Sequence, residues 1–173
     1  MRGRRTGALI GAVGGVVFVL ANAGALGSPT SVVLRVVGVV AFAVVLWWAV
    51  LRPGGVSPGP QPSPAALRTY LVCVAGEVVA IPLGAQVLVR AVGRPELVLP
   101  WVVLVVGVHF LPFARTFRVP LFSGLAWTLV VLGLLGGVLA VVVGPVLASA
   151  TGVLAGFVLL AFAGAGGSRR QVD

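Results

Sequence analysis

Residues 121–143 read LFSGLAWTLVVLGLLGGVLAVVV, and this run of 23 residues contains no charged side chain. A bilayer core of ~30 Å needs roughly 20 helical residues, so the run is long enough to cross it. Comparable runs fill most of the remaining chain, and 60% of the 173 residues are hydrophobic while only 9% are charged. A soluble domain of this size could not bury so much apolar surface. The sequence therefore predicts a polytopic membrane protein.

Helices fit these runs better than strands. Backbone groups in hydrocarbon must form hydrogen bonds internally, which leaves helices or closed barrels, and continuous apolar runs without strict alternation favour helices. We predict an all-α bundle of six transmembrane helices, at about residues 7–26, 31–51, 69–89, 97–114, 120–143 and 146–166.

The arginines predict the orientation, because positive charge accumulates on the cytoplasmic side of a membrane. All 12 basic residues are arginines. With the N-terminus inside, nine of them lie on the cytoplasmic side, namely Arg2, Arg4, Arg5, Arg52, Arg68, Arg115, Arg118, Arg169 and Arg170. We therefore expect both termini to be cytoplasmic. The lack of lysine beside abundant Ala, Val, Gly and Arg is typical of high-GC bacterial genomes, so we expect the membrane to be a bacterial plasma membrane. Trp101 is expected at the outer interface, where amphipathic rings are common.

The net charge of +9 does not by itself indicate nucleic acid. The sequence has no basic face with interleaved aromatic residues, so we expect no nucleic-acid binding. The partner that the composition indicates is the lipid bilayer. Protein partners and oligomeric state are left open by the sequence.

A Pro- and Gly-rich stretch, residues 52–68, divides the chain. Its five prolines and three glycines predict an extended cytoplasmic linker. The linker separates a first transmembrane hairpin, residues 1–51, from a four-helix unit with a short basic tail, residues 69–173.

The first helix has an alternative interpretation. Basic residues followed by an apolar stretch and the sequence Ala21-Asn22-Ala23 could form a signal peptide with its cleavage site. The apolar run continues to Leu26, which is longer than a usual signal core, and this favours an uncleaved helix.

Glu77 and His109 are the leading candidate site. A charge near the bilayer centre costs at least ~2.5–3.5 kcal/mol on insertion scales, so Glu77 should be protonated, paired or in a wet cavity. His109 is expected at a similar depth on the adjacent antiparallel helix. Such a pair could relay a proton, or it could simply fix the register of the two helices.

Asn22, Arg35 and Gln86 form a second candidate set, because each is expected in the outer half of its span. Together they predict an outer polar layer between the first three helices. Arg35 could instead extend its side chain towards the membrane surface.

The sequence offers little for catalysis. One histidine and one cysteine cannot form a usual His/Cys metal site, and the common phosphate-binding and hydrolase motifs are absent. We therefore expect neither enzymatic activity nor a bound cofactor.

Three pairs of glycines are spaced four residues apart within spans: Gly11 with Gly15, Gly133 with Gly137, and Gly152 with Gly156. Small residues at this spacing let membrane helices approach closely. We expect these pairs to serve packing inside the protein.

The segments Pro95-Glu-Leu-Val-Leu-Pro-Trp101 and Val108-His-Phe-Leu-Pro-Phe-Ala-Arg-Thr-Phe117 carry a family resemblance. Over about residues 70–135 the chain resembles small uncharacterised multi-spanning membrane proteins of actinobacteria. The resemblance implies a membrane protein of bacterial source and supplies no catalytic residues.

These observations predict an integral membrane protein of non-enzymatic role, whose intramembrane polar residues mainly fix helix packing. The alternative is a small proton-coupled transporter or channel that uses Glu77 and His109.

Overall fold

The computed structural model describes residues 2–51, 63–117 and 120–168. Within these ranges the chain is 93% helical and has no strands. Six helices are long and apolar enough to cross a membrane, which confirms the predicted all-α architecture of six spans. The helices are α1 (Arg2–Asn22), α2 (Thr30–Val45), α3 (Pro64–Gln86), α4 (Val98–Phe117), α5 (Pro120–Val142) and α6 (Val146–Ser168).

Several of these helices are extended by turns of a different helical type. The first two are a 3₁₀ turn (Ala23–Leu26) after α1 and a π-helical turn (Leu46–Leu51) after α2. A second π-helical turn (Val87–Ala91) follows α3, and a 3₁₀ turn (Pro95–Leu97) precedes α4. With these extensions the helices match the predicted spans closely, except that α1 and α3 each begin five residues earlier than predicted.

Helix α3 begins at residue 64 rather than at the predicted residue 69. The hydroxyl of Ser63 accepts a hydrogen bond from the Ala66 backbone N–H at 3.2 Å, and Pro64 occupies the first helical position. Both features favour a helix start. The Ser63 hydroxyl accepts a hydrogen bond from a backbone N–H that would otherwise be free, and proline has no backbone N–H that needs a partner. The last residues of the predicted 52–68 linker are therefore helical, while residues 52–62 lie outside the described ranges.

Contacts within the chain group it into two compact units, and the predicted domains stay a prediction. The first unit is Met1–Gln61 with Val153–Asp173, and the second is Pro62–Gly152. Helix α6 therefore contributes its first residues to the second unit and the rest to the first. This division could not be predicted from the sequence, because α6 contains no charged residue that would mark a boundary.

In the first unit α6 lies directly against α1. A Cβ on Gly15 would lie only 2.7 Å from the Gly156 carbonyl oxygen, and a Cβ on Gly156 would lie 2.6 Å from that of Gly15. The two helices thus touch through their backbones. Helix α2 joins them, because Gly38 accommodates the buried side chain of Val19.

In the second unit α4 and α5 make the closest helix contact. A Cβ on Gly107 would lie 2.7 Å from the Val130 backbone nitrogen, and a Cβ on Gly133 would lie 2.8 Å from that of Leu104. Thr151 in turn fills the space that Gly136 leaves open. Gly15, Gly133 and Gly156, all members of the predicted pairs, therefore serve packing inside the units.

Candidate intramembrane polar site

The structure brings Glu77 and His109 together. Glu77 lies in the middle of α3 and His109 in α4, and both belong to the second unit. The carboxylate Oε2 of Glu77 is 3.0 Å from Nδ1 of His109. The imidazole side chain is only 9% exposed, whereas the Glu77 side chain is 25% exposed. The buried partner is thus the histidine, and the Glu77 side chain remains partly exposed.

The contact is short but oblique. A hydrogen on Nδ1 would not point at Oε2, so this buried nitrogen lacks an aligned hydrogen bond. The interaction is an ion pair only when the imidazole is protonated. A neutral histidine would instead meet the carboxylate as a polar contact, whose strength depends on small rotations of the ring.

Aromatic rings surround the imidazole. Phe113 and Phe110 meet it edge to face, with ring centroids 4.6 Å and 5.5 Å away. Tyr70 of α3 stacks on Phe113 at 5.8 Å, and Phe122 of α5 stacks on Phe110 at 6.1 Å. We refer to Tyr70, Phe110, Phe113 and Phe122 as the aromatic cluster. It links α3, α4 and α5 around His109.

The sequence pattern contained a signal for this cluster. Residues 109, 110 and 113 recur at the spacing that places side chains on one face of a helix. The stacking partners on α3 and α5 could not be predicted, because they depend on the rotation of each helix about its axis.

A second polar contact joins α3 and α4, and it was not predicted from the sequence. The indole N–H of Trp101 donates to the Ala80 carbonyl oxygen at 3.1 Å. The ring also fills the space above Gly84, where a Cβ would collide with it. Trp101 was predicted as an interface anchor, and the structure shows that it also fastens α4 to α3 beside Pro82.

The outer polar layer predicted for Asn22, Arg35 and Gln86 stays a prediction. The Asn22 amide donates to the Phe18 carbonyl oxygen of its own helix at 2.8 Å. The guanidinium of Arg35 lies against the turn after α1, 2.9 Å from where a Cβ on Gly24 would be. Gln86 is exposed and belongs to the other unit.

Among the described residues, no group of three or more His, Cys, Asp or Glu side chains could hold a metal ion. Cys73, one helical turn before Glu77, is a free thiol. The contact between α3 and α4 therefore joins one carboxylate to one imidazole, with aromatic rings beside the imidazole.

Comparison of the chain with family profiles, with curated proteins and with solved structures finds no match.

Proposed function

We propose that this integral membrane protein has a non-enzymatic role in a bacterial plasma membrane, and that its intramembrane polar residues mainly fix helix packing. The observation that carries the proposal is the contact between Glu77 and His109 inside the aromatic cluster. Both polar groups of this contact face another helix of the same unit, and together they join α3 to α4.

The burial of His109 supports a packing role. A side chain that is only 9% exposed and bordered by Phe110 and Phe113 has little access to water. Proton relays in membranes need a continuous path of polar groups or water on both sides of the titrating residue. Around the imidazole the described neighbours on α4 are aromatic instead.

The proposed orientation has both termini in the cytoplasm. It is supported by the distribution of the arginines, nine of which lie on one side of the six spans when the N-terminus is inside. The proposed bacterial source depends on the resemblance of residues 70–135 to membrane proteins of actinobacteria.

A second candidate function is proton-coupled transport, or a channel, that uses Glu77 and His109. The observation that favours it is the partial exposure of Glu77, since a quarter of its side chain is exposed. The oblique contact also leaves Nδ1 of the imidazole without an aligned hydrogen bond.

Proton flux in proteoliposomes distinguishes the two functions. We expect no pH-dependent flux from the wild-type protein across a panel of ion and solute gradients. Glu77→Gln should leave the fold intact and shift the midpoint of thermal unfolding by a few degrees, because it changes a buried interhelical contact. Glu96→Gln, the same change in the turn before α4, serves as the control and should shift it less, because the ion pair that it removes is with an exposed arginine, Arg94. A wild-type flux that Glu77→Gln abolishes and Glu96→Gln preserves would establish transport instead.

A further inference from the structure

An apolar groove lies in the second unit, where α3 ends and α4 begins. Its volume is about 220 Å³, and it is open along one side. Leu88, Leu97, Trp101 and Leu104 form one part of its lining, and Leu134 and Gly137 of α5 contribute to the other. Small-molecule sites usually have volumes of roughly 300–1,000 Å³, so this groove suits a slender occupant.

The residues that line the groove favour a hydrocarbon chain as its occupant. It is almost wholly apolar, and its one indole N–H, that of Trp101, is already donated to Ala80. From Leu97 to Leu104 the groove follows seven residues of helix, or roughly 10 Å. Part of one alkyl chain fits these dimensions, whereas a polar ligand would find no partner.

Two arginines lie in the segment that joins α3 to α4, Arg90 in the last turn after α3 and Arg94 directly before the 3₁₀ turn that precedes α4. The backbone N–H of Arg94 donates to the Leu88 carbonyl oxygen at 2.9 Å, and the Arg94 carbonyl oxygen accepts from the Leu97 N–H at 3.1 Å. Arg94 is therefore bonded directly to two residues of the lining. Arg90 lies two residues beyond Leu88, is exposed, and makes no ion pair with any described residue.

The side chains of this segment carry a net positive charge, and an ion pair holds one of the two guanidinium groups in place. One guanidinium nitrogen of Arg94 pairs with Glu96 at 3.2 Å, while the Arg94 side chain stays 52% exposed. A guanidinium has five N–H donors, so this pairing leaves donors for a second anion. Two arginines against one glutamate leave one net positive charge beside the apolar groove.

We propose that this groove binds one acyl chain of an anionic phospholipid, whose phosphate is held by Arg94 and Arg90. Lipid tails are as apolar as the groove, so the chain alone gives no preference over bulk lipid. The selectivity therefore comes from the headgroup, where an arginine beside an anionic lipid contributes about 1 kcal/mol, or about fivefold in affinity.

Native mass spectrometry of the full-length protein tests the headgroup part of the proposal. The protein is equilibrated with phosphatidylglycerol and phosphatidylcholine that carry identical acyl chains. We expect preferential retention of phosphatidylglycerol, and a loss of about fivefold in that preference for each of Arg94→Gln and Arg90→Gln. Arg68→Gln, at the opposite end of α3, should keep the preference. Equal retention of the two lipids by the wild-type protein would overturn the proposal.

A matched pair of substitutions tests the groove itself. Leu134 lines it, whereas Leu135 does not, and their exposures are nearly equal at 55% and 56%. Leu134→Trp should reduce retention of phosphatidylglycerol, and Leu135→Trp should not. Equal effects of the two substitutions would contradict the site, as would a lipid-free dimer in which a second copy takes the place of the lipid.

Discussion

The indole N–H of Trp101 donates to the backbone carbonyl oxygen of Ala80 across 3.1 Å, and this bond joins α4 to α3. It lies two residues before Pro82, which has no N–H of its own to donate within α3. Gly84 leaves the space in which the ring packs. The same two helices also meet through Glu77 and His109, so α3 is fastened to α4 at two levels.

Loss of the indole N–H should destabilise the second unit. Trp101→Phe keeps an aromatic ring over Gly84 but removes the donor to Ala80, and interhelical hydrogen bonds in membranes contribute about 0.6–1.7 kcal/mol. We expect a loss of this size in the free energy of unfolding, measured in mixed micelles. Trp127→Phe is the control, because Trp127 is 59% exposed and should tolerate the change. Equal effects at the two positions would argue against the bond.

A methyl group at Gly133 should force α4 and α5 apart. Its Cβ would lie 2.8 Å from the Leu104 nitrogen and 2.9 Å from the Pro100 carbonyl oxygen, and neither backbone atom can yield without moving the helix. Overpacking of this kind typically costs about 1–3 kcal/mol. Gly137→Ala, one turn further along α5, should cost little, since its Cβ would meet only side-chain carbons at 3.6 and 3.7 Å. The measurement compares the loss of unfolding free energy in the two variants. Equal losses would contradict the close contact between α4 and α5.

Substitution of two neighbouring glycines of α1 by alanine should change stability in opposite directions. Gly15→Ala would place a Cβ 2.7 Å from the Gly156 carbonyl oxygen and should destabilise the first unit by about 1–3 kcal/mol. Gly14→Ala meets nothing within 4 Å and should stabilise the helix by up to about 1 kcal/mol, because alanine is the better helix former. Thermal unfolding of both variants gives the comparison. A destabilised Gly14→Ala would indicate a contact on that face of α1.

Labelling of intact cells tests the proposed orientation. In a Cys73→Ser background, Val92→Cys should react with a membrane-impermeant maleimide, because Val92 is 53% exposed in the turn after α3 and is expected outside. A cysteine at position 60 should react only after the cells are permeabilised. External labelling at position 60 would reverse the orientation.

The number and approximate limits of the helices could be predicted from the sequence, because apolar length alone decides whether a segment can cross a bilayer. The start of α3 could not be predicted to the residue. Ser63 and Pro64 are common at helix starts, yet they follow a proline-rich stretch that hid this signal.

The candidate site was predictable in part. Glu77 and His109 stood out because ionisable residues are rare in apolar spans, and antiparallel neighbours place them at similar depth. The bond from Trp101 to Ala80 was not predictable, since its acceptor is a backbone carbonyl that no side-chain pattern reveals. The contact between Gly15 and Gly156 also could not be predicted from the sequence. Glycine spacing indicates which face of a helix can pack closely, but it does not indicate which helix packs there.

The central claim is that Glu77 and His109 stabilise the packing of α3 on α4 through their mutual contact. A double-mutant cycle with Glu77→Gln and His109→Phe measures this directly, as the coupling between the two changes in the free energy of unfolding. We expect a favourable coupling of about 0.6–1.7 kcal/mol, as found for interhelical polar contacts in membranes. A coupling indistinguishable from zero, with two additive single changes, would contradict it.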